Sequence, residues 1–529
     1  MRFWADPPAA VAAAGRVRLM LVLLAYLGLV SFGFGPELTD DHAFRQTQTA
    51  ITAHFIHGLG DLWRYETPVL GPPWSVPFEF PLYQALAKGL SVVAGLSLET
   101  AGRLVGVGAM LLCVWPLTRI AQALGAGQPA WVLAPVFLAP LYVFWSRAFM
   151  IETTALLFAL IYLDMLLRML RTGRARRWWL AGLVVSGVLA ALVKVTTLLP
   201  LMLLAGLAMA WLAWQVVGRC TDARLLGSLL LAHLLIVVPA WVWLAHADAL
   251  KAANPVGAFL TSQALTQWNF GTPAQRLDPQ VWFQVADHAA DMLFPLPEPM
   301  RGLKAVLVGL WLAVFVFFLR RCDSDRRVQV AAVLALFLTP FLVFTNLHRV
   351  HTYYQAANGV FLLLAFGLAA EGALASGGRA RRAVPWAFGL SVLAMGVASF
   401  CDLHVKGTQA GQLREISAQL QAQTSADEVV AITGQDWSPV IPYQAGRRAL
   451  MIPPFATLDV VRVNARELRA AGAKLTALVR CGTGQEDAVR LLLSELGLQP
   501  QGPRWVADGC TLTRLAPRHM GTLQSPAKG

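Results

Sequence analysis

The chain has 529 residues, of which 57% are hydrophobic and only 14% are charged. This composition excludes a disordered, a fibrous and an ordinary soluble protein. Lysine and arginine exceed aspartate and glutamate by 43 to 30, but the basic residues cluster at the ends of apolar runs. No basic stretch is interleaved with aromatic residues, as a nucleic-acid groove would need. We therefore expect a membrane protein that contacts membrane lipid and does not bind nucleic acid.

The apolar residues form continuous runs, such as 19–30 and 331–344, and not the alternating pattern of outer-membrane barrel strands. The predicted fold class is therefore a polytopic α-helical membrane protein with about eleven transmembrane helices of ~20 residues each. The expected spans are 17–35, 103–122, 130–147, 152–170, 178–195, 198–217, 225–244, 303–320, 328–346, 355–373 and 384–401.

One further apolar segment, residues 82–96, is too short to cross a bilayer, which needs about 20 residues. Gln84, Lys88, Ser91 and Gly95 fall on one face of this segment as a helix. The pattern predicts an amphipathic helix that lies along the outer membrane interface.

The distribution of basic residues predicts the sidedness of the chain. The richest basic loops, 168–177, 320–327 and 379–382, should be cytoplasmic. The N-terminus is then cytoplasmic and acts as a signal anchor, because it lacks a small-residue cleavage site. Chemistry is expected on the outer face, which in a bacterium is the periplasmic side of the inner (cytoplasmic) membrane.

Three regions are expected from the pattern. Residues 1–402 form a transmembrane domain with a first outer loop, 36–102, and a long outer loop, 246–301. Residues 407–520 form a small soluble periplasmic α/β domain, with a helical pattern at 413–420 and β-rich runs at 428–432, 475–479 and 510–515. Residues 521–529 are a flexible tail. Cys481 and Cys510 fall near predicted strand ends, and a disulfide or two free thiols are both compatible with the sequence.

The first outer loop begins with a dense polar run, residues 36–50, directly after an apolar span. This run contains Asp40, Asp41, His42, Arg45 and Gln46. One reading is a solvated loop whose acids cap the next helix. The other is a carboxylate that acts as general base near the membrane surface, with Arg45 binding an anionic group.

Two more acids lie at predicted helix starts. Glu79 is surrounded by aromatic residues and is either a metal ligand or a solvated acid. Glu152 enters a span shortly after Arg147. An ionisable residue at this depth is a functional candidate, although an ion pair with Arg147 would also satisfy it.

Basic and aromatic residues recur on the same predicted face. Lys194 interrupts a long apolar stretch at a predicted outer turn, where it either snorkels to the interface or binds phosphate. His351, Tyr353 and Tyr354 cap another outer helix end, as part of an interface belt or of an anion site. The topology therefore collects acids and cations from distant parts of the chain on one side of the membrane.

In these motifs the chain resembles the GT-C superfamily of lipid-linked-sugar glycosyltransferases, especially bacterial relatives of protein O-mannosyltransferases and of the aminoarabinose transferases that modify lipid A. The resemblance covers about the first 400 residues. It rests on the runs 40–50, 79–82, 146–152 and 351–354 in their order along the chain.

The resemblance implies that residues 1–402 are a catalytic domain that moves a monosaccharide, with inversion, from a polyprenyl-phosphate donor to a lipid, glycan or protein acceptor. It assigns Asp40 as general base, with Asp41 as the alternative, and Glu152 as a second catalytic acid. The substrate and phosphate ligands would be His42, Arg45, Gln46, Arg147, Lys194, His351, Tyr353 and Tyr354.

Some relatives bind a divalent metal ion at the position of Glu79, but they follow it with lysine, whereas this chain has Phe80. Two alternatives to the transferase are a transporter or flippase for a lipid-linked substrate and an O-antigen ligase-type protein. Transporters bind at mid-bilayer between repeated halves, and the sequence shows no such repeat.

Overall fold

The computed structural model describes residues 9–32, 34–35, 37–218, 223–376, 382–409 and 411–518. The predicted tail 521–529 and residues 379–381 of the third basic loop lie outside the described residues. The chain is about 70% helical. Its α-helices are, in order, α1 (Ala9–Ser31), α2 (Ala43–His54), α3 (Leu82–Ala94), α4 (Leu98–Leu112), α5 (Val114–Ala123), α6 (Pro129–Leu138), α7 (Pro140–Trp145), α8 (Glu152–Thr172), α9 (Arg177–Val217), α10 (Ala223–Ala253), α11 (Thr266–Phe270), α12 (Pro273–Leu277), α13 (Pro279–Asp291), α14 (Arg301–Leu319), α15 (Ser324–Val343), α16 (Thr345–Val350), α17 (Gly359–Ala375), α18 (Ala383–Gln409), α19 (Arg414–Gln423), α20 (Val440–Ala445), α21 (Leu458–Ala470) and α22 (Glu486–Leu496).

The strands are β1 (Val429–Thr433), β2 (Arg448–Ile452), β3 (Leu475–Cys481), β4 (Leu498–Ala507) and β5 (Cys510–Pro517). Short 3-10 helices cover Leu59–Trp63, Gly257–Leu260, Glu298–Met300 and Thr352–Ala357. The predicted runs at 428–432, 475–479 and 510–515 thus form strands, which confirms a small C-terminal sheet domain.

Seven helical segments of the described residues are long and apolar enough to cross a membrane. They are Leu98–Ala123, Glu152–Thr172, Arg177–Val217, Ala223–Ala253, Glu298–Leu319, Ser324–Val343 and Ala383–Thr408. The chain is a membrane protein. Helix is present at each of the eleven expected positions, but the number of crossings stays a prediction.

The bounds of the helices differ from the expected spans in two places. Residues 130–147 form two helices, α6 and α7, because Ala139 is extended before Pro140, whose ring excludes the preceding residue from the helical region. The interruption expected between the spans 178–195 and 198–217 lies at Lys194, whose non-helical backbone separates the two helical halves that are grouped here as α9.

Contacts divide the chain into two units. The first comprises Met1–Leu38, Glu79–Ala245 and Ser262–Gln409. Its helices approach closely through small residues. A Cβ atom on Gly367 would lie 2.6 Å from Cα of Val132, and one on Gly106 would lie 2.5 Å from the carbonyl oxygen of Ser146. Small residues at helix contacts are typical of membrane bundles, where close packing drives association.

The second unit comprises Thr39–Phe78, His246–Thr261 and Ala410–Gly529. Its sheet has the order β2-β1-β3-β5-β4. The β1 strand pairs in parallel with β2 and β3, whereas β5 pairs antiparallel with β3 and β4. The parallel strands are connected through α20 and α21, as parallel connections require.

Part of the first outer loop belongs to the same unit as the sheet. The backbone of Gly71 donates to Ala449 at 3.2 Å, Ala449 donates to Pro68 at 2.9 Å, and Leu70 forms an antiparallel bridge with Leu450. The side chain of Asn254 then donates to the carbonyl oxygen of Gly71 at 3.0 Å. Residues 68–71 therefore cover the edge of β2, which would otherwise present unpaired backbone groups, and Asn254 holds this segment by its hydrogen bond to Gly71.

A disulfide joins Cys481 to Cys510, which pair directly across β3 and β5. Cys113, Cys322 and Cys401 are free. The bridge closes a loop between residues 29 apart in sequence, so it restricts the unfolded chain more than the folded one.

We predict that the double variant Cys481→Ala/Cys510→Ala lowers the free energy of unfolding of the sheet by about 3–4 kcal/mol, the chain-entropy value for a loop of this length. Hydrogen exchange of peptides from β3 and β5, followed by mass spectrometry of the full-length protein, measures the change. Cys401→Ala, at an exposed free thiol, is the control and should leave exchange unchanged. Equal exchange in the double variant and the wild type would contradict the stabilising role.

Candidate functional site

Glu152 is the first residue of α8 and is 3% exposed. A carboxylate at this position is favoured by the positive end of the helix dipole. One of its oxygens, Oε1, accepts a hydrogen bond from Nζ of Lys194. The other, Oε2, is buried without a hydrogen-bond partner among the described residues. Since buried acceptors are rarely left unsatisfied, Oε2 is available to a donor from a ligand.

Lys194 lies at the break in α9, where its φ of −162° and ψ of 93° are those of extended backbone. A break frees backbone groups that must find other partners. The backbone N–H of Phe80 donates to the carbonyl oxygen of Leu192 at 2.9 Å and provides one such partner. The segment that carries Glu79 therefore runs beside the turn of α9 that holds Lys194.

Two tyrosine rings face the ammonium group of Lys194. Its Nζ lies 4.2 Å from the ring centre of Tyr354 and 5.0 Å from that of Tyr353. The two rings stack at 4.8 Å, and the ring of His351 stacks on Tyr353 at 5.1 Å. A cation at this distance from aromatic rings is attracted by their quadrupoles. Lys194, His351, Tyr353 and Tyr354, which the sequence analysis selected separately, thus form one cluster with Glu152.

Two buried arginines hold the chain where it leaves α1. Arg147 donates to the carbonyl oxygens of Val30 and Phe32, the former at 3.4 Å. Arg103 donates to the carbonyl oxygens of Arg147, at 3.0 Å, and Glu37. The ends of helices leave carbonyls unpaired, and these guanidinium groups satisfy them. Glu152 forms its ion pair with Lys194 and not with Arg147, the alternative partner that the sequence offered.

The sequence analysis did not identify Arg103. It is 1% exposed and belongs to α4, in which every residue after Arg103 is apolar. The signal that could have found it is a guanidinium within a predicted membrane segment, since such residues pair inside the bundle or mark a site.

His348 lies in α16, beyond the end of the apolar helix α15, and is 2% exposed. Its ring packs edge-on against Phe341, with ring centres 4.7 Å apart, and lies 6.1 Å from the ring of Tyr354. Burial is the main cause, and the nearby charge of Lys194 a smaller one, that lowers the pKa of His348 to about 3. The imidazole is therefore neutral at physiological pH.

The predicted first-loop motif lies in the second unit. Asp40 is 6% exposed, and its Oδ1 accepts from Nε2 of Gln46 at 2.7 Å and from the backbone N–H of Asp41 at 3.1 Å. The same Nε2 donates to the carbonyl oxygen of Asp41 at 2.7 Å. Gln46 thus fixes the orientation of the Asp40 carboxylate, whereas Asp41 is the more exposed of the two acids.

The backbone next to Asp40 is held in an uncommon conformation. His42 has a φ of 44°, in the left-handed region that residues other than glycine rarely adopt. The helix α2 begins directly after it, and Arg45 donates through its side chain to Gln48 at 2.7 Å. The ring of Phe44 packs against Trp437 at 4.5 Å, which anchors the start of α2 on the sheet domain.

The site residues selected from the sequence therefore fall into two groups. Glu79, Arg147, Glu152, Lys194, His351, Tyr353 and Tyr354 belong to the first unit, and Asp40, Asp41, His42, Arg45 and Gln46 belong to the second. Within each unit, the structure brings acids and hydrogen-bond donors into direct contact.

Metal binding at Glu79 stays a prediction. Among the described residues, no group of three or more histidine, cysteine, aspartate or glutamate side chains is arranged to hold a metal ion. Divalent ions in proteins are usually held by several such oxygen or nitrogen ligands. The donor set therefore does not fit an ion bound by protein ligands alone, and no chemical step is derived through a metal.

We predict that Glu152→Gln or Lys194→Met alone lowers the free energy of unfolding by about 3–5 kcal/mol, because each leaves a buried charge without its partner. The double variant should lose less than the sum of the two. A double-mutant cycle from unfolding in detergent measures this coupling. The control cycle uses Arg301 and Glu298, which are 56% and 80% exposed and should couple by about 0–1 kcal/mol. Strict additivity at Glu152 and Lys194 would contradict the prediction.

The neutral His348 predicts a pH dependence of stability. Because the pKa of His348 is lowered to about 3 in the folded state from about 6.5 in the unfolded state, the unfolded state binds the proton first as the pH falls. Stability is thus complete above pH ~6.5 and decreases between pH ~6.5 and ~3. We expect His348→Gln to flatten this decrease in melting temperature. His404→Gln, at an exposed site, should not, and equal slopes in all three proteins would disprove the prediction.

No family model matches the chain, and no curated protein matches its sequence. Among solved structures, the chain is similar to ArnT from Cupriavidus metallidurans bound to undecaprenyl phosphate, with a TM-score of 0.59, 12% identity and coverage of 94% of this chain and 97% of ArnT. The apo state of the same protein has a TM-score of 0.55 at 13% identity, covering 95% of this chain and 98% of that one. The oligosaccharyltransferase AglB from Archaeoglobus fulgidus, in complex with an inhibitory peptide and a dolichol phosphate, has a TM-score of 0.51 at 11% identity, with coverage of 88% and 69%. At these identities the likeness is one of fold, and it confirms the resemblance inferred from the motifs: the chain has the fold of the GT-C glycosyltransferases.

Proposed function

We propose that the protein is an inverting glycosyltransferase that moves a monosaccharide from a polyprenyl-phosphate donor to an acceptor outside the membrane. The observation that carries the proposal is the buried pair of Glu152 and Lys194 at the break of α9. An ammonium group within an apolar helix, covered by two tyrosines, is suited to a lipid-borne phosphate. The fold supports this, since the similar ArnT structure contains undecaprenyl phosphate.

Lys194 is the proposed ligand of the donor phosphate, with Arg147, His351, Tyr353 and Tyr354 beside it. As the glycosidic bond breaks, negative charge grows on the phosphate oxygen, and a fixed cation in a water-poor site stabilises it strongly. Glu152 orients Lys194 through Oε1, and its Oε2, buried without a partner in the described chain, accepts a hydrogen bond from a substrate hydroxyl.

Asp40 is the proposed general base. It removes the proton of the acceptor hydroxyl as that oxygen attacks the anomeric carbon, and the bond between this carbon and the phosphate oxygen breaks with its electron pair on the phosphate. The products are the glycosylated acceptor with inverted configuration and a polyprenyl phosphate. The two hydrogen bonds to Oδ1 of Asp40 hold this carboxylate in one orientation and support Asp40 over Asp41 as the base. His42, Arg45 and Gln46 are the proposed ligands of the sugar.

The proposed location follows from the positive-inside rule. We place the chain in a bacterial inner membrane as a multi-pass protein, with a cytoplasmic N-terminus and a periplasmic sheet domain. The donor is then reached from within the bilayer, and the acceptor is a lipid, glycan or protein on the periplasmic side.

We predict that Asp40→Asn lowers transfer of radiolabelled sugar from polyprenyl phosphates to endogenous acceptors by about 10²–10⁴-fold, the usual contribution of a general base. Wild-type and variant membranes at matched expression are compared over a panel of donors. Asp41→Asn is the matched control, because it removes the neighbouring charge, and it should retain most of the activity. Glu152→Gln tests the second acid and should also lose transfer.

Two results would count against the proposal. Full transfer by Asp40→Asn and Glu152→Gln would exclude the proposed site. Movement of the intact lipid-linked sugar between leaflets, with no transfer from any donor, would indicate a transporter or flippase.

A further inference from the structure

A cleft of about 520 Å³ lies in the first unit, between α13, the start of α14 and α16. It is not part of the site proposed for sugar transfer. Charged side chains of both signs line it, among them Asp287, His288, Asp291, Arg301, Lys304 and Arg349. A cleft with this many ionisable groups recognises a charged and not an apolar ligand.

One part of the cleft carries excess negative charge. Nζ of Lys304 lies 2.7 Å from a carboxylate oxygen of Asp287 and 2.9 Å from one of Asp291. The lysine is 7% exposed, whereas the two carboxylates are 25% and 26% exposed. One ammonium thus serves two carboxylates, and both remain accessible from the cleft. A second cation at this point would balance the charge.

Another part of the cleft carries an unbalanced positive charge. Arg349 donates through Nε to the amide oxygen of Asn346 at 3.1 Å. No carboxylate pairs with it among the residues that the structure describes. Its guanidinium has further N–H groups in the geometry that binds a phosphate through two hydrogen bonds. The cleft therefore offers an anion site and a cation site side by side, which is complementary to a zwitterion.

The position of the cleft identifies the source of such a zwitterion. Lys304 lies in the first turn of α14, at one end of the segment Glu298–Leu319, which is apolar and long enough to cross a membrane. Leu303, Val306 and Leu310 on that helix are 47%, 57% and 60% exposed. A lipid with its head group in the cleft would have its acyl chains beside this apolar surface.

We propose that the cleft binds the head group of a zwitterionic phospholipid with a primary ammonium, as in phosphatidylethanolamine. The phosphate pairs with Arg349, the ammonium lies between Asp287 and Asp291, and the acyl chains follow the exposed side of α14. A primary ammonium has three N–H donors for these carboxylates, whereas a quaternary ammonium has none. The proposal does not depend on the sugar-transfer reaction.

The test uses the full-length protein in detergent, mixed with equal amounts of phosphatidylethanolamine, phosphatidylcholine and phosphatidylglycerol. Native mass spectrometry counts the lipids that remain bound. The wild type should retain phosphatidylethanolamine over the other two. Arg349→Gln should reduce this retention by about tenfold or more, the effect of losing one charge-assisted hydrogen bond. Asp287→Asn should reduce the preference for phosphatidylethanolamine over phosphatidylcholine.

Arg320→Gln, at the opposite end of α14, is the matched control and should retain the lipid as the wild type does. Equal retention of the three lipids by the wild type would overturn the proposal without the use of any variant. Undiminished retention of phosphatidylethanolamine by a folded Arg349→Gln would overturn it as well. If that variant does not fold, Arg349→Lys keeps the charge but not the paired N–H groups, and it should bind the lipid more weakly than the wild type.

Discussion

The constraint on which the membrane unit depends is the cost of an ionised side chain in an apolar environment. Lys194 lies within a helix of 41 residues whose other side chains are almost all apolar, so its charge requires a partner at the same depth. Glu152 provides that partner from the start of α8. The break in α9 is compatible with this arrangement because the backbone of Phe80 replaces a lost helical hydrogen bond. The ion pair therefore links α8 to α9, and the backbone hydrogen bond of Phe80 links the segment of Glu79 to α9.

The same requirement, that buried polar groups be paired, organises the segments around the two candidate acids. Arg147 binds carbonyl oxygens at the end of α1, and Arg103 binds those of Arg147 and Glu37. Gln46 binds the carboxylate of Asp40. Each of these donors contacts a group that would otherwise be unsatisfied in a buried place. These side chains satisfy buried polar groups, and the same hydrogen bonds fix the position of the segments that carry the candidate acids. Folding and the geometry of the candidate site therefore depend on the same hydrogen bonds.

The fold class and most helix positions could be predicted because apolar runs and turn residues are local properties of the sequence. The GT-C likeness could be predicted because its motifs are short and ordered along the chain. Other features depend on contacts between distant residues. The pairing of Glu152 with Lys194 and the inclusion of residues 39–78 with the sheet have no local signal. An interruption near Lys194 could be predicted from a lysine in an apolar run, but the sequence does not distinguish a turn from the kink that the structure has there.

Two buried acids of α8 differ in the number of cations around them. Asp164, near the far end of this helix, is 1% exposed and pairs with both Arg119 and Arg168 at 2.9 Å. Two guanidinium groups already compensate the single negative charge of Asp164, so we expect it to bind no further cation or hydrogen-bond donor. Glu152 has one cation, Lys194. Under the proposed function, such a pair with one partner each would exchange partners when the donor binds, with Lys194 pairing with the phosphate and Glu152 accepting from a hydroxyl. The number of opposing charges around a buried acid, and not its burial, thus distinguishes Glu152 from Asp164.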